Sequence, residues 1–247
     1  MELHIIFLIA AAGFYAGVQN VLAGGGSFIT FPALVLAGLN PLAANMTSTI
    51  ALFPSQITSS IAGRKLVGPV GQLAFGWLFA ISLLGGVLGA ALLLNTPTTL
   101  FARLVPWLVL FATSVFAWGS FRKKPLHAVS GIPVLMLAAI QFCISVYGGY
   151  FGGGIGFLML AALTVAGQQV RVAGATKNVL AMAMNASAVA IFAFSSQVSW
   201  PAVLALGAGG VAGSMCGAWL MHWLPERMLR GFVVLAGAAL TVWMFVR

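Results

Sequence analysis

Acidic side chains are almost missing from this chain of 247 residues: Glu2 and Glu226 are the only two, and neither is an aspartate. A carboxylate pair is therefore absent, as are an H-E-x-x-H motif, a G-x-S-x-G elbow and a nucleotide-binding loop, which argues against a membrane enzyme. A proton relay built on an intramembrane Asp or Glu has no residue to use. Cysteine is scarce too. Cys143 and Cys216 stand alone with no C-x-x-C, so disulfide and redox chemistry are excluded as the main business of the protein. Charged residues make up only 5%, against roughly 25% in soluble domains, which excludes a water-soluble fold. The apolar-polar alternation of a membrane β-barrel is missing as well.

What fills the chain is hydrophobic sequence, 62% of it, in runs near the ~20 residues that cross a bilayer as a helix. The fold class is therefore all-α, a polytopic membrane protein. The net charge of +9 comes from eleven Lys and Arg placed singly or in short groups between apolar runs. That placement is a topology signal rather than a nucleic-acid surface. Met1-Glu2 lacks a basic leader, and 3–22 reads as a retained first helix rather than a cleaved signal.

The chain also repeats itself. Gly24-Gly25-Gly26 recurs 128 positions later as Gly152-Gly153-Gly154, and Gly85/Gly89 and Pro97 recur at Gly213/Gly217 and Pro225. Thr47 returns as Thr176 after a one-residue slip. Paired glycine breaks inside apolar halves mark secondary transporters, whose binding site lies between the repeats. The expected organisation is a first transmembrane repeat over 1–121, a cytoplasmic basic linker over 122–130 carrying Arg122-Lys123-Lys124, and a second repeat over 131–247.

Five apolar segments fit each half: 3–22, 27–38, 41–62, 71–94 and 101–120, then 131–151, 155–166, 172–194, 200–223 and 228–246. The second of each set is short and follows the triple glycine. At ~1.5 Å per residue it covers about 18 Å of a ~30 Å core, so it is a half-helix, and the total is about eight to ten membrane or half-membrane helices. Counting five crossings per half places Arg64-Lys65, the linker, Arg171, Lys177, Arg227 and Arg230 toward the cytoplasm and leaves Arg103 and Arg247 outside. That arrangement makes the halves inverted.

Three consecutive glycines should unwind a helix, and unwound backbone at membrane depth needs protein or water around it. The candidate substrate site therefore starts with Gly24, Gly25, Gly26, Gly152, Gly153 and Gly154. A polar cluster follows each half-helix. The first holds Asn45, Thr47, Ser48, Thr49, Ser55 and Gln56, and the second holds Thr176, Lys177, Asn178, Asn185 and Ser187. From these, Thr47, Ser48, Gln56, Thr176, Lys177, Asn178 and Asn185 are expected to bind substrate, their donors helped by a helix dipole. The bland alternative is that the hydroxyls bond to their own helices. Lys177 costs about 2.5–3.5 kcal/mol at membrane depth unless it is paired or hydrated, and no acid is nearby in the sequence. An anion would pair it; snorkelling to the interface is the other outcome. Gly85/Gly89 and Gly209/Gly213/Gly217 read instead as close helix packing.

Ala23-Gly24-Gly25-Gly26, Pro32-Ala33-Leu34, Ala37-Gly38, Pro41, Ala44, Thr47 and Ala62-Gly63-Arg64-Lys65 in the first half resemble the sulfite exporter TauE/SafE family. Gly152-Gly153-Gly154, Thr176-Lys177, Asn185 and Trp200 carry the resemblance in the second. It implies an inner-membrane carrier of sulfur-containing anions such as sulfite or organosulfonates, working as an exporter. Uptake, carriage of another small organic anion, and a non-transporting scaffold stay open as alternatives. The expected partners are a small anionic substrate and the lipid bilayer, with no nucleic acid, no cofactor and no metal. Assembly into a homo-oligomer stays open.

Overall fold

The computed structural model describes residues 3–22, 26–121, 132–220 and 226–246. Gly24, Gly25, Glu2 and the 122–130 linker lie outside the described residues. Ten α-helices form within them: α1 (Leu3–Leu22), α2 (Ser27–Leu36), α3 (Pro41–Gly63), α4 (Phe75–Leu94), α5 (Thr98–Phe121), α6 (Val134–Tyr150), α7 (Ile155–Val165), α8 (Val170–Phe192), α9 (Trp200–Leu220) and α10 (Glu226–Val246). Among the described residues there is no strand. Stretches of α4, α5, α8 and α9 are long and apolar enough to cross a membrane, and shorter apolar helices lie among them. The fold is that of a polytopic helical membrane protein.

The helices follow the apolar segments with one clear shift. The segment expected from 71 begins at Phe75, because 67–74 make a turn instead. Val70 and Leu73 exchange N–H···O=C bonds of 3.0 and 2.9 Å around Gly71, which sits at φ +56°. Pro69 ahead of it has no N–H to offer a helix.

The two short helices hold 10 and 11 residues. At 1.5 Å per residue they are about 15–17 Å long, half of a bilayer core. Both stop in the same way. In α2, Gly38 N–H bonds Val35 C=O and Leu39 N–H bonds Leu34 C=O; in α7, Gly167 N–H bonds Thr164 and Gln168 N–H bonds Leu163. Gly38 and Gly167 take φ of +95° and +97°, so each half-helix ends in a Schellman motif that glycine alone adopts without strain. After each stop comes a long helix of 23 residues, α3 or α8. Asn40 caps α3 by accepting the Ala43 N–H at 2.9 Å, with Pro41 at its first position.

Glycine sets the tightest packing. A Cβ at Gly209, Gly213 or Gly217 of α9 would run into main-chain atoms of Ala10, Phe14 and Val18 in α1. A Cβ at Gly85 or Gly89 of α4 would meet Ser145 and Val146 in α6. Lipid tails give helices no hydrophobic reason to associate, so such close backbone contact supplies the attraction by dispersion. Around these seams α3 packs on α8 and α9, α8 on α4, α5 on α10, and α2 and α7 on the long helices that follow them.

Candidate functional site

The second glycine run breaks the chain as its composition demands. Gly152 and Gly154 both take φ +75°, and α7 starts immediately after them. Tyr147, six residues ahead of Gly153, donates its hydroxyl to the Gly153 carbonyl at 2.9 Å. Asn45 of α3 donates its side-chain N–H to the Tyr150 carbonyl at 3.0 Å, which ties the break to the other half of the chain. The first run is strapped with opposite polarity. Asn20, six residues ahead of Gly26, accepts the Gly26 N–H at 3.0 Å. Gly26 itself is right-handed, at φ −53°.

The start of α2 faces the second glycine break. The Phe28 ring in the first turn of α2 lies 3.4 Å from where a Gly154 Cβ would stand. Phe31 meets Phe151 edge-on with centroids 5.8 Å apart. Between them lies a cavity of about 10 Å³. Hydroxyl and amide groups of Ser27, Asn45, Ser48 and Thr49 line it together with Phe28, Phe31, Val109, Phe151 and Gly153. That volume is about one water molecule's worth, so anything larger requires the walls to part.

The polar residues of the two clusters differ in what they bond to. Thr47 is fully buried and accepts the Ser199 N–H at 3.2 Å, which anchors the turn before α9. Ser48 is paired with the Thr30 hydroxyl and lines the cavity. Asn178 receives the Ser60 hydroxyl on its main-chain carbonyl at 2.9 Å, and Thr49 and Ser55 of the first cluster bond to their own helix. For those two, helix back-bonding is what the structure shows. Gln56 and Asn185 come together directly: Asn185 Nδ2 donates to Gln56 Oε1 at 2.8 Å, while the buried Asn185 Oδ1 has no partner among the described residues. Thr176 Oγ1 is likewise buried without one.

Lys177 lies on α8 against the start of α7. Its Nζ is 3.6 Å, and its Cδ 3.7 Å, from the Cβ position of Gly156. No hydrogen bond or ion pair reaches it among the described residues. The N–H groups of a helix's first turn have no acceptor within the helix, and the dipole makes that end positive. A cation resting there gains nothing from the helix, so the place is suited to an anion that both can share.

Sequence reasoning missed the straps and the aromatic wall. Asn20 and Tyr147 each precede their glycine by six residues, and that shared spacing was the available signal. Phe28, Phe31 and Phe151 read only as apolar positions, and Gly156 as one more glycine in a glycine-rich run. Nothing local announces that a lysine 21 positions later will lie over it.

A family model described as sulfite exporter TauE/SafE matches residues 9–244. A Sinorhizobium sp protein described as "Probable membrane transporter protein ORF9" is 29% identical over 245 residues, covering 98% of this chain and 93% of that one. A "Probable membrane transporter protein" of Haemophilus influenzae is 26% identical over 247 residues, covering 97% and 94%. "Probable membrane transporter protein YfcA" of Escherichia coli K12 is 25% identical over 247 residues, covering 97% and 88%. No solved structure matches.

Proposed function

The chain belongs to the sulfite exporter TauE/SafE family, and from that premise we propose that this membrane transporter carries small sulfur-containing anions out across the inner membrane. The observation that carries the anion reading is Lys177, a cation with no counter-charge among the described residues, beside the positive end of α7. The cavity adds a reason to include organosulfonates as well as sulfite. Its polar side suits an oxyanion, and Phe28, Phe31 and Phe151 suit a small apolar substituent.

The mechanism we propose is alternating access between two inverted repeats, over 1–121 and 131–247, with the site near their interface. Two features support it. Most helix pairings recur when each helix is exchanged for the one five places along: α1–α9 with α6–α4, α4–α8 with α9–α3, α1–α2 with α6–α7 and α5–α7 with α10–α2. Moreover, Gln56 and Asn185, 129 positions apart, are each other's equivalents and touch. A residue meets its own counterpart only beside an axis relating the two parts. Rocking one half against the other would part this contact and widen the cavity, first to one side and then to the other.

Proteoliposomes holding the purified protein test the proposal. Radiolabelled sulfite and a panel of alkylsulfonates should leave loaded vesicles faster than they leave protein-free ones. Flux of none of these anions in either direction, from vesicles with correctly folded protein, would remove the reading.

A further inference from the structure

The two half-helices are built around opposite distributions of size. Position 28, second in α2, is Phe; 128 residues on, position 156, second in α7, is Gly. Position 48 in α3 is Ser, and 129 residues on, position 177 in α8 is Lys. In the first half the large ring occupies the space beside the break and the short Ser48 side chain bonds Thr30 of the half-helix. In the second half the ring is gone and the long lysine occupies the freed space, its Nζ and Cδ stacked over Gly156.

We infer that Gly156 is a positioning residue for transport: its missing side chain is the seat on which Lys177 lays its ammonium beside the first turn of α7. The inference rests on the reading of Lys177 as the anion's charge partner. It adds that the two halves contribute unequally, one a cationic half-site and the other a neutral aromatic one, so that a single anion charge is held at the α7 end. The seat has a defined size. A Cβ at 156 would stand in ordinary van der Waals contact with the lysine, so alanine fits, whereas any branch beyond Cβ enters the volume that the lysine fills.

The test uses the full-length protein with Lys65, Lys123 and Lys124 replaced by Arg, which leaves Lys177 as the one lysine. Reductive methylation with ¹³C-formaldehyde then gives a dimethyl-lysine resonance that reports its surroundings with no substrate present. Gly156→Ala, whose Cβ would meet the lysine at ordinary contact distance, should keep the resonance near the parent position. Gly156→Leu should move the resonance and raise KM about tenfold or more while turnover changes less, as expected when a charge-assisted contact to the anion is lost. A Gly156→Leu resonance at the parent position overturns the inference, whatever transport does. A moved resonance with unchanged KM leaves Gly156 as the seat and removes Lys177 from substrate binding, so the two failures are distinct. Should Gly156→Leu not fold, Gly156→Phe with Lys177→Ser copies the first half's sizes and should return a monodisperse protein; failure to do so overturns the size exchange.

Discussion

Gln56 of α3 and Asn185 of α8 share a 2.8 Å hydrogen bond across the two halves of the chain, at a separation of 129 that also relates Gly38 to Gly167 and Thr47 to Thr176. The bond leaves Asn185 Oδ1 buried with no partner among the described residues. An unsatisfied buried acceptor costs about 1–3 kcal/mol, so the contact is made at some expense and a rearranged state has something to gain.

A double-mutant cycle with Gln56→Leu and Asn185→Leu should show the two residues coupled by about 0.5–1.5 kcal/mol in thermal unfolding of the detergent-solubilised protein. Each single variant is expected to be less stable than the double, because it strands one amide in an apolar contact. Strictly additive losses would mean that the bond contributes nothing.

The glycine seams should be the least tolerant positions in the fold. Gly213→Ala pushes a methyl group into the main chain of Phe14, and overpacking of that kind costs about 1–3 kcal/mol. By contrast Gly231, with open space where its Cβ would stand, should accept Ala with little change in melting temperature. Equal tolerance at the two sites would contradict the packing account.

These seams show how the sequence signals its fold. Glycine at every fourth position of an apolar segment points to close helix approach, and the helix bounds follow from apolar runs interrupted by Gly, Pro or short polar stretches such as Ser195-Ser196-Gln197. The site was legible only in part. Gly152 and Gly154 break the chain as three consecutive glycines must, and Gln56 and Asn185 were both expected at the site. Their meeting, though, depends on how α3 crosses α8, which no local pattern encodes. Thr47 reads as a ligand by type, and its hydroxyl accepts the Ser199 N–H, while Thr49 of the same cluster bonds to its own helix. A hydroxyl has the same appearance in sequence whatever it bonds to.

The inverted arrangement makes a sidedness prediction at two exposed positions. Lys65, after α3, and Gln197, in the turn before α9, should lie on opposite sides of the membrane. In a background without Cys143 and Cys216, an impermeant thiol reagent applied outside should label Gln197→Cys and spare Lys65→Cys. Parallel repeats would put both positions on the same side.

Tyr147→Phe removes the hydroxyl that holds the Gly153 carbonyl and keeps the ring that packs between Phe111 and Phe151. The loss of one hydrogen bond should cost about 1 kcal/mol of stability. Transport should fall by more than stability does, since the strap fixes the break that borders the cavity. Proteoliposome flux at a temperature well below both melting points separates the two effects. Parent-like flux would reduce the strap to a local stabiliser.

If Lys177 meets the charge of the transported anion, sulfite flux by Lys177→Met beside the parent will show it. Insertion should be preserved, because removing the charge relieves the cost of a lysine at membrane depth. With both proteins reconstituted at equal density, the account predicts that the variant's KM for sulfite rises about tenfold or more, the loss expected for a charge-assisted contact. A Lys177→Met protein that carries sulfite with the parent KM and turnover would contradict it.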